Sequence, residues 1–401
     1  TEFGLFFTND GGNKWIQLTG NFPTINVRDL DIQKRECDLV IGTFGRSIYI
    51  LDDYSFLREL NKENLEKEAN IFKIKDAKMF IKDESRVKGD YGASFYRAEN
   101  PPFGATFTYY LKEGYKTKKA ERKKIEKEAD EKKETAPYPT LEQLRAEDLE
   151  ESAYLLFDIY DSNDNLVRTL KASASPGINR ITWNLRTAGT TTVSQNQDPN
   201  NYSGYLVLPG KYKVVISKNV DGVITKLTEP KTFEVKHLNN STLPAKREDL
   251  VTFQNQVAKL QNAVSATNEY FAKIKENVKV LKSTILNSNL IDNKLLEKIR
   301  KIEYKLADLE IILSGNKTIE QRNENQTPSI NDRLGYITWV VWEIDSAPTE
   351  TAKMNYNIIS KQLKQLLKDL KELNEKEIKP IEQELDSKGA PWTPNREPKW
   401  D

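Results

Sequence analysis

The side chains able to do chemistry are few and scattered. Asp10 lies in the octapeptide TNDGGNKW at residues 8–15, where a carboxylate can serve as acid or base only if the turn faces a cleft. A Gly-flanked Asp between two strand-like runs has a simpler use: its oxygens accept backbone amides and close the turn. Asp52 and Asp53 end a strand-like run and offer oxygen ligands of the kind Ca²⁺ takes, without the regular acidic spacing of a calcium loop. Residues 42–47, GTFGRS, carry two glycines and Arg46, but a phosphate cradle needs a helix N-terminus next, and a strand pattern follows instead. Cys37 is the single cysteine and His237 the single histidine. That excludes an internal disulfide framework and most histidine-built metal sites, and His237 has no serine in a nucleophile-elbow context. Carboxylates are abundant, yet spacing singles out no hydrolytic pair. The residues therefore assign no catalytic, metal or cofactor-binding position, and no cofactor is expected.

The bulk numbers narrow the classes further. Lys and Arg number 61 against 60 Asp and Glu, a net charge of +1, so nothing in the whole-chain balance draws nucleic acid. A chain of 401 residues has room for two or three domains. Its longest apolar stretch, YITWVVWEI at 336–344, is too short to span a bilayer, and no signal-peptide pattern opens the chain. The first residue is Thr1, inside what reads as a strand pair, so the chain is expected to be a piece of a longer polypeptide.

Hydropathy patterning gives the elements that must position these residues. Residues 1–60 hold five short strand-like runs (GLFFT, KWIQL, VRDLDI, DLVIGTF and SIYILDD), expected as one antiparallel meander about the size of a propeller blade. A lone meander cannot bury both its faces, so it is expected to lean on further sheets. Residues 61–240 return to β, with IFKIKDAKMFI read as one strand and GYLVLPGKYKVVISK as another. Trp183 is the candidate core plug, Tyr212, Val214 and Ile216 alternate inward, and Asp221-Gly222 suits a tight hairpin. These runs predict a small immunoglobulin-like β-sandwich. A charged helical insertion at about 113–150, with TKKAERKKIEKEADEKKE at its heart, reads as a solvated excursion or an electrostatic arm. Residues 245–387 carry four heptad seams, from Phe253 to Ile285, Leu295 to Leu313, Ile330 to Ile344 and Ile359 to Leu373, and predict an antiparallel four-helix bundle. Only Thr267 breaks the first seam. Residues 388–401 read as an extended Pro/Trp tail.

TNDGGNKW resembles the Asp box of sialidase-type and sortilin-type β-propellers, S/T-x-D-x-G-x-x-W, with Thr8, Asp10, Gly12 and Trp15 in the key places. DLVIGTFGRSIYILDD, NPPFGATFTYYLK, LVLPGKYKVVI, PSINDRLGYI and GAPWTPNREPKW are similar to segments of the large bacterial sortilin-like propeller proteins with BNR repeats, often labelled glycosyl hydrolases. The resemblance runs over essentially the whole chain. It implies the C-terminal part of an extracytoplasmic, Bacteroidetes-type protein of the periplasm, outer membrane or cell surface, with a signal peptide upstream. The chain's partners would be the remaining propeller blades and an envelope protein complex or a glycan. In such propellers the Asp boxes sit at the periphery, so the box marks an architecture and not a reaction. Asp345-Ser346-Ala347 matches a short O-glycosylation pattern of such bacteria, which makes Ser346 a candidate modification site.

Two functions follow. The first is non-catalytic binding and scaffolding, with Tyr336, Trp339 and Trp342 as a candidate partner surface beside a heptad seam; the plainer use of these rings is packing within the protein. The alternative is an accessory region of a glycoside hydrolase whose active site lies in upstream blades. A redox or cofactor enzyme has no Gly-rich βαβ fingerprint to support it.

Overall fold

The computed structural model describes residues 1–82, 94, 98–194, 197–238, 243, 245–288, 293–394, 396–398 and 400. The chain is mixed β and α, with several sheets, one curled as a half-barrel, and a helical C-terminal region. It divides into two compact units: Thr1–Ala188 with Pro199–Asn201 and Pro209–Leu238, and Gly189–Asp198 with Tyr202–Leu208 and Asn239–Asp401.

The first unit opens with β1 (Leu5–Phe7) and β2 (Ile16–Leu18), paired antiparallel across the octapeptide turn. Strands β3 (Val27–Gln33), β4 (Asp38–Thr43) and β5 (Ile48–Leu51) form a separate antiparallel sheet. The expected single meander is thus two ladders. Gly20 turns at φ +92° and Pro23 has no N–H to give a ladder, so the chain leaves pairing between β2 and β3. Two backbone bonds, Gly4 N–H to Ile25 O and Val27 N–H to Thr1 O, join the pieces.

A 3₁₀ turn (Tyr54–Glu59) and α1 (Lys62–Glu66) lead into β6 (Ala69–Ile71), β7 (Ala77–Met79) and β8 (Ala105–Leu111). Two polar helices follow, α2 (Lys118–Glu131) and α3 (Leu141–Asp148). The later strands are β9 (Tyr154–Tyr160), β10 (Leu166–Ser173), β11 (Gly177–Trp183), β12 (Arg186–Ala188), β13 (Ser203–Leu206), β14 (Gly210–Val220), β15 (Val223–Lys226) and β16 (Lys231–His237). One sheet runs β10-β9-β14-β16-β7, with β15 on β14; another runs β11-β8-β6. IFKIKDAKMFI is therefore two strands in two sheets: β6 lies antiparallel to β8, and β7 parallel to β16. Phe72 and Ile74 between them are buried, so the apolar run read as one strand is a crossover through the core. GYLVLPGKYKVVISK also divides, because Pro209 cannot donate to a ladder and Gly210 takes φ +149°. Asp221 and Gly222, at φ +52° and +83°, make the tight turn of the β14–β15 hairpin, with Val220 opposite Val223.

Tyr212, Val214 and Ile216 point inward, and Trp183 has no exposed surface. Its ring meets Tyr212 at 5.3 Å and Phe233 at 6.1 Å, and its indole N–H donates to Arg186 O at 2.8 Å. Helices α2 and α3 contain no buried residue; the Arg122 guanidinium ties them by a two-pronged contact with Glu147 at 2.6 and 2.7 Å.

In the second unit, α4 (Arg247–Asn287), α5 (Asn293–Ser314), α6 (Lys317–Glu320), α7 (Ile330–Trp342) and α8 (Glu350–Leu373) precede a π turn (Asn374–Ile378) and α9 (Lys379–Ser387). Pro380 brings no N–H to bond Lys376 O, and the helix widens to π spacing just before it. One hydrophobic core takes Leu250 to Ile285 of α4, Leu295 to Leu313 of α5, Ile330 to Val341 of α7 and Ala352 to Leu373 of α8. Leu309 and Ile344 pack at its margin. Thr267 is buried in that seam, its hydroxyl donating to Ala263 O at 2.7 Å, so the break in apolar rhythm is absorbed without an orphaned donor.

Two outcomes test this account. A Cβ on Gly104, which sits at φ +130°, would stand 1.9 Å from Trp183 O, so Gly104→Ala is expected to destabilise by on the order of 3 kcal/mol or more in denaturant titration. Glu36 accepts from Lys75 at 2.5 Å and from Lys78, and these lysines hold its carboxyl down from 4.5 to about 2. The folded value lies below the unfolded one, so the gain is complete above the unfolded value and is lost as pH falls through the folded one. Both lysines are more than a third exposed, and solvent screening leaves about 1 kcal/mol. Glu36→Gln should cost that amount near neutral pH and nothing near pH 1; an offset constant over the whole range would refute the ion-pair account.

Candidate functional site

The octapeptide folds as a self-bonded turn. Thr8 Oγ1 donates to Asp10 Oδ1 at 2.8 Å and accepts from the Gly12 amide at 3.0 Å, while Asp10 Oδ1 accepts from the Lys14 amide at 3.1 Å. These bonds, the Lys14 amide foremost, lower the Asp10 carboxyl pKa. Gly11 and Gly12 supply φ of +76° and +94°. Trp15 lies one residue outside the ladder, whose last pair is Phe7 with Ile16, and is 61% exposed. The hairpin is fastened by Thr8 and Asp10 and not by the ring.

The other acidic candidates are joints. Asp53, in the left-handed region at φ +45°, accepts from Ser55 N–H at 3.2 Å and Ser55 Oγ at 2.5 Å, capping the 3₁₀ turn; its own amide donates to Asp38 Oδ1 at 3.0 Å. Burial raises the Asp52 pKa, and the Asp38 charge adds to it. Among the described residues no group of three or more His, Cys, Asp or Glu is arranged to hold a metal. In GTFGRS, Thr43 N–H donates to Ser47 O at 3.1 Å and Phe44 N–H to Asn26 O at 2.9 Å, so these amides serve the turn and not a phosphate. Cys37, at φ +56°, is a half-buried free thiol at the β3–β4 turn. His237 ends β16 in register with Met79.

The three candidate aromatics of α7 separate. Tyr336 is 40% and Trp339 74% exposed, on an outward stripe with Asp332, Gly335 and Glu343. Gly335 meets nothing within 4 Å of where a Cβ would stand, so the unit's own packing does not require a glycine there. Trp342 is half-buried: it packs on the helical core, its ring 5.4 Å from Tyr205. Ser346 lies in the bend between α7 and α8, half-buried. Its neighbour Asp345 is held by Arg247 at 3.2 Å, and Arg247 also donates to Leu206 O at 3.2 Å, fixing the start of α4. PSINDRLGYI starts α7 with a capping box of Ser329 and Asp332. Its Asn331 exchanges amide bonds of 3.0 Å with Asn268.

Sequence reasoning missed Arg168. Its side chain is buried, with its guanidinium donating to Thr187 O, Pro199 O and Asn200 O at 2.8 to 3.0 Å. The signal was an Arg in the inward phase of β10, two residues before the buried Leu170.

The aromatic split has a direct test. Trp339→Ala should leave the thermal midpoint unchanged, whereas Trp342→Ala should lose about 2 kcal/mol through the cavity it leaves; equal effects would mean both rings do the same job. Comparison with family models, with curated proteins and with solved structures finds no match for this chain.

Proposed function

We propose that this chain is a non-catalytic binding and scaffolding region of an extracytoplasmic, sortilin-like propeller protein of the cell envelope. In this reading residues 1–60 are a final Asp-box blade, 61–240 an immunoglobulin-like sandwich, 245–387 a four-helix bundle and 388–401 a tail. One observation carries the reading: the β3–β4–β5 sheet presents apolar side chains to solvent on both faces. The register puts Leu30 with Ile41 and Tyr49, and Ile32 with Leu39 and Leu51, on one face; Val40, Ile48 and Ile50 lie on the other. Leu30 and Ile32 are 47% and 45% exposed, Ile48 and Ile50 64% and 60%. A two-sided apolar sheet fits a blade that has neighbours on both sides, and leaving four such side chains half wet forfeits on the order of 1 kcal/mol each. The self-bonded Asp10 turn supports the structural use of the box. The exposed Trp339 and Tyr336 supply a surface for a protein partner.

The test compares this chain with a longer polypeptide that carries the upstream sequence. Ile48→Lys with Ile50→Lys should leave the melting of residues 1–401 unchanged but lower that of the longer polypeptide by several degrees. Equal effects in both would overturn the blade reading. Removing residues 245–401 should release the longer protein from envelope fractions; unchanged fractionation would overturn the docking role of the helices.

A further inference from the structure

The sheet of β3, β4 and β5 ends on β5, whose outer edge pairs with no strand among the described residues. The ladder to β4 dictates what that edge offers. Thr43 N–H donates to Ser47 O at 3.1 Å, so the next pair, Gly42 with Ile48, is one whose two residues do not bond each other, and the pattern alternates from there. Tyr49 and Leu51 turn their backbone groups toward β4, while Ile48 and Ile50 turn theirs outward. The side chains of the same two isoleucines are 64% and 60% exposed on one face. An edge strand is ordinarily guarded by a charge, a proline or a bulge, and Ile48–Leu51 has none of these. The strand at the far side of the same sheet, β3, carries Asp29 and Asp31, and the hairpin strand β15 carries Lys226.

We infer that β5 pairs antiparallel with β5 of a second copy of this chain, about a two-fold axis through Tyr49. With the backbone groups of Ile48 and Ile50 outward, only registers that set even-numbered residues opposite one another can form bonds. The register centred on Tyr49 is the one in which each Ile48 faces an Ile50 of the other copy, joining four exposed side chains into one cluster on one face. Charge selects the same register. Arg46 stands three residues before Tyr49 and Asp52 three after it, so each Arg46 comes beside Asp52 of the other copy. Arg46 is exposed at the turn, and its side chain is long enough to reach from there. Asp52 lacks such a partner within one chain. One step beyond the Leu39–Leu51 pair it comes opposite Asp38, burial and the Asp38 charge raise its pKa, and Arg180 and Lys75 act on it only from a distance. A second β5 thus supplies both the isoleucines and the opposite charges at the spacing this edge requires. So short a ladder buries well under the roughly 1,200 Å² of a stable interface, which places the dissociation constant on the order of 10 to 100 µM. At about 1 µM, where melting is read, the chain is a monomer. The pairing lies in the plane of the sheet and the blade reading concerns its faces, so each stands or falls alone.

The experiment is sedimentation of the whole chain from about 1 to 500 µM at about 50 mM salt, where a reversible monomer–dimer equilibrium is expected. Arg46→Asp sets carboxylates against Asp52, and Asp52→Arg sets guanidinium groups against Arg46, so each variant alone should dimerise on the order of tenfold more weakly. An equimolar mixture of the two restores opposite charges at both ends of the ladder and should associate within about threefold of the unaltered chain, as should the double variant. Hydrogen exchange over residues 46–52 should slow as the concentration rises. A chain that stays monomeric throughout overturns the proposal. A dimer indifferent to both variants overturns it by placing the contact on another surface, and a mixture no stronger than either variant overturns the antiparallel register. Amides of Ile48 and Ile50 already protected at about 1 µM overturn it as well, because the edge is then covered within one chain.

Discussion

Trp183 connects the β-sheets of the first unit. It belongs to the sheet of β11, β8 and β6, yet its ring rests on Tyr212 and Phe233 of the larger sheet, and it has no surface in water. So large a ring can be buried only if its N–H finds an acceptor and the backbone beneath it can come close. Arg186 O supplies the first and Gly104 the second. Phe107, Phe157 and Tyr109 extend the ring contacts, with Phe107 reaching Phe233 at 5.4 Å and Tyr109 reaching Phe157 at 4.9 Å. The β3–β4–β5 segment is tied to the same body by smaller means: Phe56 on Phe72, Arg180 donating to Asp53 O, and Glu36 between Lys75 and Lys78. These contacts leave Leu30 and Ile32 on one face of that sheet and Ile48 and Ile50 on the other exposed, while Ile41 is buried.

The helical unit solves the same problem with aliphatic side chains, and its few buried polar groups sit where helix geometry leaves something to satisfy. Gln254 has no exposed surface and donates to Val341 O, a carbonyl in the last turn of α7 that has no partner further along the helix. Asn277 reaches Glu382, and Arg333 reaches Asn355. The residues that looked distinctive in sequence, Ser329, Asn331, Asp332 and Asp345, are mostly occupied in starting helices and joining them. On the outside of the same unit, Trp339 and Tyr336 of α7 stay exposed.

The function proposed for this chain rests on exposed surfaces. Asp10, Asp52, Asp53 and Arg46 stand in turns or at strand ends, where the acidic ones are bonded to nearby backbone or hydroxyls or crowded by another carboxylate. In the Asp10 turn, Oδ1 is taken by the Thr8 hydroxyl and the Lys14 amide. The exposed apolar side chains Leu30, Ile32, Ile48 and Ile50, by contrast, carry a cost that the isolated chain does not recover.

The sequence by itself determined the local features. The spacing from Phe253 to Ile285 fixed a long helix, Asp221-Gly222 fixed a hairpin turn, and the inward phase of Tyr212, Val214 and Ile216 fixed which side of β14 is buried. Each depends on torsion preferences and periodicity within a few residues. Tertiary structure alone decided that IFKIKDAKMFI divides between two sheets, that β7 runs parallel to β16, that the first five strands form two ladders, that Trp342 turns inward while Trp339 stays out, and that Arg168 is spent on three carbonyls. Those outcomes depend on which distant segment arrives to complete a sheet or cover a ring. Strand pairing and burial are long-range terms, and an apolar run reads the same whether it crosses a core or lines one edge of it.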